Sequence, residues 1–115
     1  MKNDSTRKFS NEHEKSICKA LNAVQVSNSG AGLFRKGDCI QEEASLLIEA
    51  KCSMTEKQSV SIKKSWLDKN KEEAFLDRLD NHCLCFNFGP KGDNFYIIDE
   101  KLMKYLVSKL SCEES

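Results

Sequence analysis

Asp38, Glu49 and Lys51 are the residues of this 115-residue chain best suited by type and spacing to chemistry. Two carboxylates on one surface can hold a hard divalent cation, and an ammonium group beside them can face a phosphate. The spacing follows from the flanking sequence. Lys36-Gly37-Asp38-Cys39-Ile40 and Ser45-Leu46-Leu47-Ile48-Glu49-Ala50-Lys51 read as two strands around a polar reversal at Glu42-Glu43-Ala44. A turn centred between Glu43 and Ala44 leaves Asp38 and Glu49 equidistant from it, hence directly opposed. Opposed residues of an antiparallel pair have Cβ atoms about 4.5–5.5 Å apart on one face. Lys51, two residues past Glu49, returns to that face through the pleat.

The alternate positions of the second strand, Leu46, Ile48, Ala50 and Cys52, form an apolar row suited to packing on a helix. A lone Glu-x-Lys on a strand is usually a solvated edge. Here the strand is otherwise apolar and reads as internal, where ionised groups are costly unless paired or bound to metal.

The order helix, hairpin, Gly37-Asp38, then Ile48-Glu49-Ala50-Lys51 resembles the PD-(D/E)XK nuclease superfamily, and within it the small Holliday junction resolvases of archaeal and phage type. The resemblance spans roughly Asn11 to Leu110, and the hairpin is its specific part. It departs from the family pattern at Gly37, where Pro or another small residue usually precedes the Asp. Carried over by position, it implies that Asp38, Glu49 and the Ala50 carbonyl bind Mg²⁺, with Mn²⁺ as a substitute, and that Lys51 is catalytic.

Family resolvases also carry a glutamate on the first helix, which by position would be Glu14. Asn11 to Ala23 sets Glu14, Ile17, Cys18 and Leu21 on one stripe at helical spacing. Two readings of Glu14 follow: a group turned toward the cation, or the partner of Asn11 in a capping box at the helix start. His13 and Glu12 fall on other faces, where solvent is the expected neighbour.

Val24 to Lys36 reads as a short strand running into a loop with Gly30 and Gly32. It has neither Walker spacing nor a GxGxxG pattern, which excludes the common nucleotide-binding loops. The loop permits close backbone approach to a ligand, and Arg35 and Lys36 bring positive charge beside the carboxylates. The resemblance implies that Ser29 meets the DNA backbone here.

Eighteen basic and eighteen acidic residues cancel, which excludes a histone-like polycation. Charge is nonetheless uneven: Lys51 to Lys71 holds six lysines against Glu56 and Asp68. Lys63 and Lys64 in this stretch are candidate phosphate contacts. No apolar run is long enough to span a bilayer and no signal-peptide core opens the chain, so a cytoplasmic protein, of a cell or a phage, is expected. Most of the six cysteines, in that reducing setting, read as small core residues. Cys83-x-Cys85 beside His82 suggests zinc, but no second Cys/His pair has finger spacing.

Beyond the hairpin, Ser59 or Ser61 could cap a helix reaching about Leu79, with Ile62, Trp66, Ala74, Phe75 and Leu79 on its apolar side. His82 to Phe88 and Asn94 to Ile98 flank Gly89-Pro90-Lys91-Gly92-Asp93 as a second hairpin. A last helix over about Glu100 to Leu110 aligns Leu102, Met103, Leu106 and Leu110. The expected architecture is an αβββαββα sandwich around a mixed central sheet, of restriction-endonuclease-like type. One domain spans residues 10–110, with flexible ends at 1–9 and 111–115.

The expected activity is metal-dependent DNA hydrolysis by direct water attack, since no Ser, Tyr or His nucleophile joins the cluster. The resemblance implies a branched or four-way junction as substrate and a two-fold homodimer, for which Phe86, Phe88, Phe95 and Tyr96 are candidate contacts. No nucleotide cofactor and no membrane are expected. A nickase or repair nuclease of the same fold, a non-catalytic nucleic-acid-binding module, and a small regulatory metal-binding protein are the alternatives.

Overall fold

The computed structural model describes residues 2–26 and 38–112, with side chains from residue 8 onward. Three helices and five strands follow in the order α1 (Lys2–Leu21), β1 (Val24–Gln25), β2 (Asp38–Gln41), β3 (Leu46–Lys51), α2 (Lys64–Leu76), β4 (Asn81–Phe86), β5 (Phe95–Ile98) and α3 (Glu100–Cys112). The strands form one sheet in chain order. Its pairs are antiparallel except β3 with β4, which run parallel and are joined through α2. This is an α/β architecture on a mixed sheet.

Residue chemistry accounts for the punctuation. Asn22 ends α1 in the left-handed region (φ 55°), which Asn tolerates, while the Ala23 N–H reaches back to the Cys18 carbonyl at 3.0 Å. The β2–β3 turn closes with Ser45 at φ 53° and its N–H on the Glu42 carbonyl. That turn is tied to the start of β4. Asp80 N–H donates to Ser45 Oγ, Asn81 N–H to the Ser45 carbonyl, and Asn81 Nδ2 to the Ala44 carbonyl, at 2.8, 2.8 and 2.9 Å. Asp99 caps α3 by accepting the Leu102 N–H at 2.9 Å.

The pleat divides the core. Cys39, Ile48, Cys83 and Cys85 are buried with Ile17 of α1, and Leu46, Ala50, Tyr96 and Ile98 pack around them. Leu47 and Leu84, on the other face, are fully buried along with Ala74 of α2. The apolar row Leu46, Ile48, Ala50 therefore meets a helix, as its alternation requires. All three buried cysteines are free thiols. α3 buries no residue and leaves Met103, Leu106, Val107 and Leu110 exposed.

Several local expectations are corrected. α1 starts at Lys2, so residues 2–9 are helical and Asn11 lies inside the helix, where it cannot be the N-cap of a capping box. His13 is 5 % exposed, buried by its bond to Asn94 (3.0 Å) and its contact with Cys85, rather than solvated. α2 starts at Lys64 with Lys63 as an extended N-cap making no side-chain cap bond, so neither Ser59 nor Ser61 caps it. Phe75, placed on the apolar side by spacing, is 80 % exposed. α3 reaches Cys112 rather than ending near Leu110.

Candidate metal centre

Asp38 opens β2 and stands directly opposite Glu49 of β3. The strands are held in this register by the four-residue turn at one end and by the apolar row on the reverse face, since a one-residue slip would turn Ile48 out of the core. Past β3, Ser53 is clamped to Asn87: its N–H donates to Asn87 Oδ1 at 2.8 Å and its hydroxyl to the Asn87 carbonyl at 2.9 Å, both buried. The clamp fixes the end of β3, and Lys51 with it.

Lys51 Nζ lies 2.9 Å from Glu49 Oε2 and 4.4 Å from the centroid of the Trp66 ring. The ring face stabilises the ammonium, and the carboxylate neutralises it. Trp66 thus serves as a platform for the lysine at the start of α2 and is only half-buried.

α2 adds a residue that the sequence reading did not select. Ligand oxygens of Asp38, Glu49 and Glu73 all lie within 4.8 Å of one another. Oxygens on opposite sides of a bound Mg²⁺ or Ca²⁺ are about 4–5 Å apart, so the spacing fits a hard cation. Asp38, Glu49 and Glu73 are 2, 9 and 7 % exposed. Three carboxylates this deep repel one another unless cations intervene. Lys51 is one, and Lys69, 3.9 Å from Glu73 but 69 % exposed, is a weak second.

Asn70, one turn ahead of Glu73, is 1 % exposed, and neither its Oδ1 nor its Nδ2 has a hydrogen-bond partner among the described residues. The signal for both was present in the sequence. Continuing the Trp66 stripe by four, seven and eight residues reaches Asn70, Glu73 and Ala74, two polar residues on the buried side of a helix.

The remaining candidates are distributed differently. Glu14 Oε1 accepts from Gln25 Nε2 at 3.0 Å, and Gln25 pairs with Cys39 on the α1 face. The acid pair faces α2, so Glu14 stands apart from the three-carboxylate cluster. Ala50 is on β3 opposite Cys85, with its side chain toward the α1 core. Lys63 Nζ is 5.8 Å from the Trp66 ring, at the edge of the centre, whereas Lys64 pairs with Asp68 at 2.9 Å on the exposed face of α2. Ser29, Arg35 and Lys36 lie outside the described residues.

The thiols are arranged for packing. Cys83 and Cys85 face α1, while His82, on the opposite face, lies 3.4 Å from Asp99, so the three do not converge on zinc. Burial pushes the Cys83 thiol up to about 12 and that of Cys85 to about 11. Burial likewise holds His13 below its ordinary value, against the opposing effect of Asn94. Phe86, Phe88 and Phe95 close on one another with centroids 5.6–5.9 Å apart, and Tyr96 packs on the α1 core.

Among the described residues, no helix is long and apolar enough to cross a membrane. Comparison with protein-family models, with curated proteins and with solved structures finds no match to this chain.

Proposed function

We propose that the protein is a divalent-metal-dependent endonuclease with a restriction-endonuclease-like core, acting on branched DNA in the manner of a Holliday junction resolvase. The observation that carries this reading is the Asp38–Glu49 pairing across β2 and β3, with Lys51 on the same face and a third carboxylate, Glu73, closing the cluster. Asp38, Glu49 and Glu73, with the Ala50 carbonyl, are the groups that would hold Mg²⁺ or Mn²⁺. When bound, such an ion lowers the pKa of water and neutralises charge on a phosphodiester.

The chain's own residues supply the rest. Lys51, steadied by Glu49 and Trp66, presents an ammonium to the negative charge that grows on the phosphorus oxygens. Lys63, with Ser29, Arg35 and Lys36, provides backbone contacts that position DNA without reading sequence. A two-fold dimer would present two such centres to the two strands of a junction. A nickase or repair nuclease is the second reading, favoured if the chain remains a monomer on DNA in light-scattering measurements.

The test is incubation of the protein with labelled four-way junction, linear duplex, flap and single strand, with Mg²⁺ and with EDTA. Cleavage of the junction is expected only with Mg²⁺. Lys51→Ala should lose cleavage by two or more orders of magnitude while keeping DNA binding within a few-fold. Retained cleavage by that variant would remove Lys51 from the chemistry. DNA binding that is indifferent to Asp38→Asn and to EDTA, without cleavage, would leave a non-catalytic nucleic-acid-binding module.

A further inference from the structure

The geometry points to Asn70 as a neutral fourth donor of the cation site, its Oδ1 completing the ligand set of Asp38, Glu49 and Glu73; this rests on the metal-centre reading above. The position follows from α2 itself. Trp66, Asn70 and Glu73 are spaced four and three residues apart, so they form one stripe along the helix. Both ends of that stripe are fixed at the centre: Trp66 beneath the Lys51 ammonium at 4.4 Å, and Glu73 with its carboxylate among those of Asp38 and Glu49. Asn70 lies between them on the buried side, with 1 % exposure.

A buried carboxamide with neither atom paired among the described residues is costly to fold around. Structural asparagines at such depth bond to backbone or to one another, as Asn87 does with Ser53. An amide with no protein partner has its donor and acceptor open to a water or a ligand, and hard divalent cations take Asn carbonyl oxygens alongside carboxylates. Charge favours an amide over a further acid: Asp38, Glu49 and Glu73 already bring three carboxylates together, and a neutral donor adds a ligand oxygen without adding repulsion. With Oδ1 on the cation, Nδ2 is left to donate to a phosphate oxygen.

The full chain and two variants, Asn70→Leu and Asn70→Asp, are to be titrated with Mn²⁺ by calorimetry and melted without metal. Asn70→Leu keeps the branched shape, with a somewhat larger volume, and removes the polar atoms. It is expected to bind Mn²⁺ about tenfold more weakly while melting higher in EDTA, because an uncompensated amide has been replaced by an apolar group. Asn70→Asp is expected to melt lower in EDTA, from added repulsion, and to gain more from Mn²⁺ than the parent does. Mn²⁺ affinity in Asn70→Leu equal to the parent's overturns the inference whatever the melting temperatures; if that variant does not fold, unchanged affinity in Asn70→Asp overturns it equally. A parent chain that takes up no Mn²⁺ overturns both this inference and the metal-dependent reading, whereas a parent that binds Mn²⁺ and cleaves, beside an Asn70→Leu variant that binds as well, removes only Asn70.

Discussion

The two faces of β3 differ as much as two regions of one small protein can. Toward α1, Leu46, Ile48 and Ala50 join Ile17, Cys39, Cys83 and Cys85 in a largely apolar core, with the His13 ring buried beside it against Asn94 and Cys85. Toward α2, Leu47 is followed by Glu49 and Lys51, with the buried carboxylates of Asp38 and Glu73 beside Glu49. A strand reverses its side chains at every residue, so six positions serve both purposes without conflict. The apolar face provides stability and register, and the acidic face spends part of that stability on holding like charges together.

Substitutions can separate the two roles, beginning with the largest effect. Ile48→Ala leaves a cavity in the α1 core and should destabilise the fold by about 2–5 kcal/mol in urea unfolding, with Mn²⁺ affinity preserved in the folded fraction. Asp38→Asn should do the reverse. It removes one of three clustered carboxylates, so the metal-free chain should gain about 1 kcal/mol while Mn²⁺ affinity falls. A loss of several kcal/mol in that variant would show the acidic face to be structural after all.

A smaller effect should separate the faces by pH. His13 belongs to the α1 side and its pKa is held down by burial, so the folded chain keeps it neutral while the unfolded chain takes up a proton first. The stability this confers is full above about pH 6.5 and declines as pH falls below it, by at most about 1.4 kcal/mol per pH unit. Melting between pH 7.5 and 5.5 should show the decline, and His13→Gln should reduce it, the remainder belonging to His82, whose pKa burial also lowers. The smallest effect concerns thiols at pH 8. Exposed Cys112 should react with iodoacetamide at once, whereas Cys39, Cys83 and Cys85, buried and with raised pKa values, should wait for opening of the core. Equal rates would mean that the α1 face is not sealed.

The hairpin was legible in the sequence because its information is local. Period-two alternation assigns the faces, and a symmetric turn assigns the register, so Asp38 could be matched to Glu49 by counting. Other features depend on tertiary context. The first turns of α1, from Lys2 on, carry no apolar stripe to announce a helix that precedes its packed segment. Ser59 and Ser61 have the chemistry of caps, yet Lys63 is the extended residue at the helix start and α2 begins without a side-chain cap. Asn70 and Glu73 look like solvated helix residues until the crossover lays α2 over β3 and β4. Only the stripe shared with Trp66 and Ala74 hinted otherwise. Glu14 was drawn toward the acids by its stripe, but Gln25 holds it on the reverse face.

The parallel pairing of β3 with β4 has a consequence for the order of assembly. An antiparallel hairpin can form early from its own turn, but a parallel neighbour requires the whole intervening crossover to be in place. Asp38 and Glu49 can therefore meet in a half-folded chain, while Glu73 reaches them only after α2 has docked. A divalent ion gripping all three would act as a latch on the finished molecule, slowing the release of α2 and resisting the first step of unfolding.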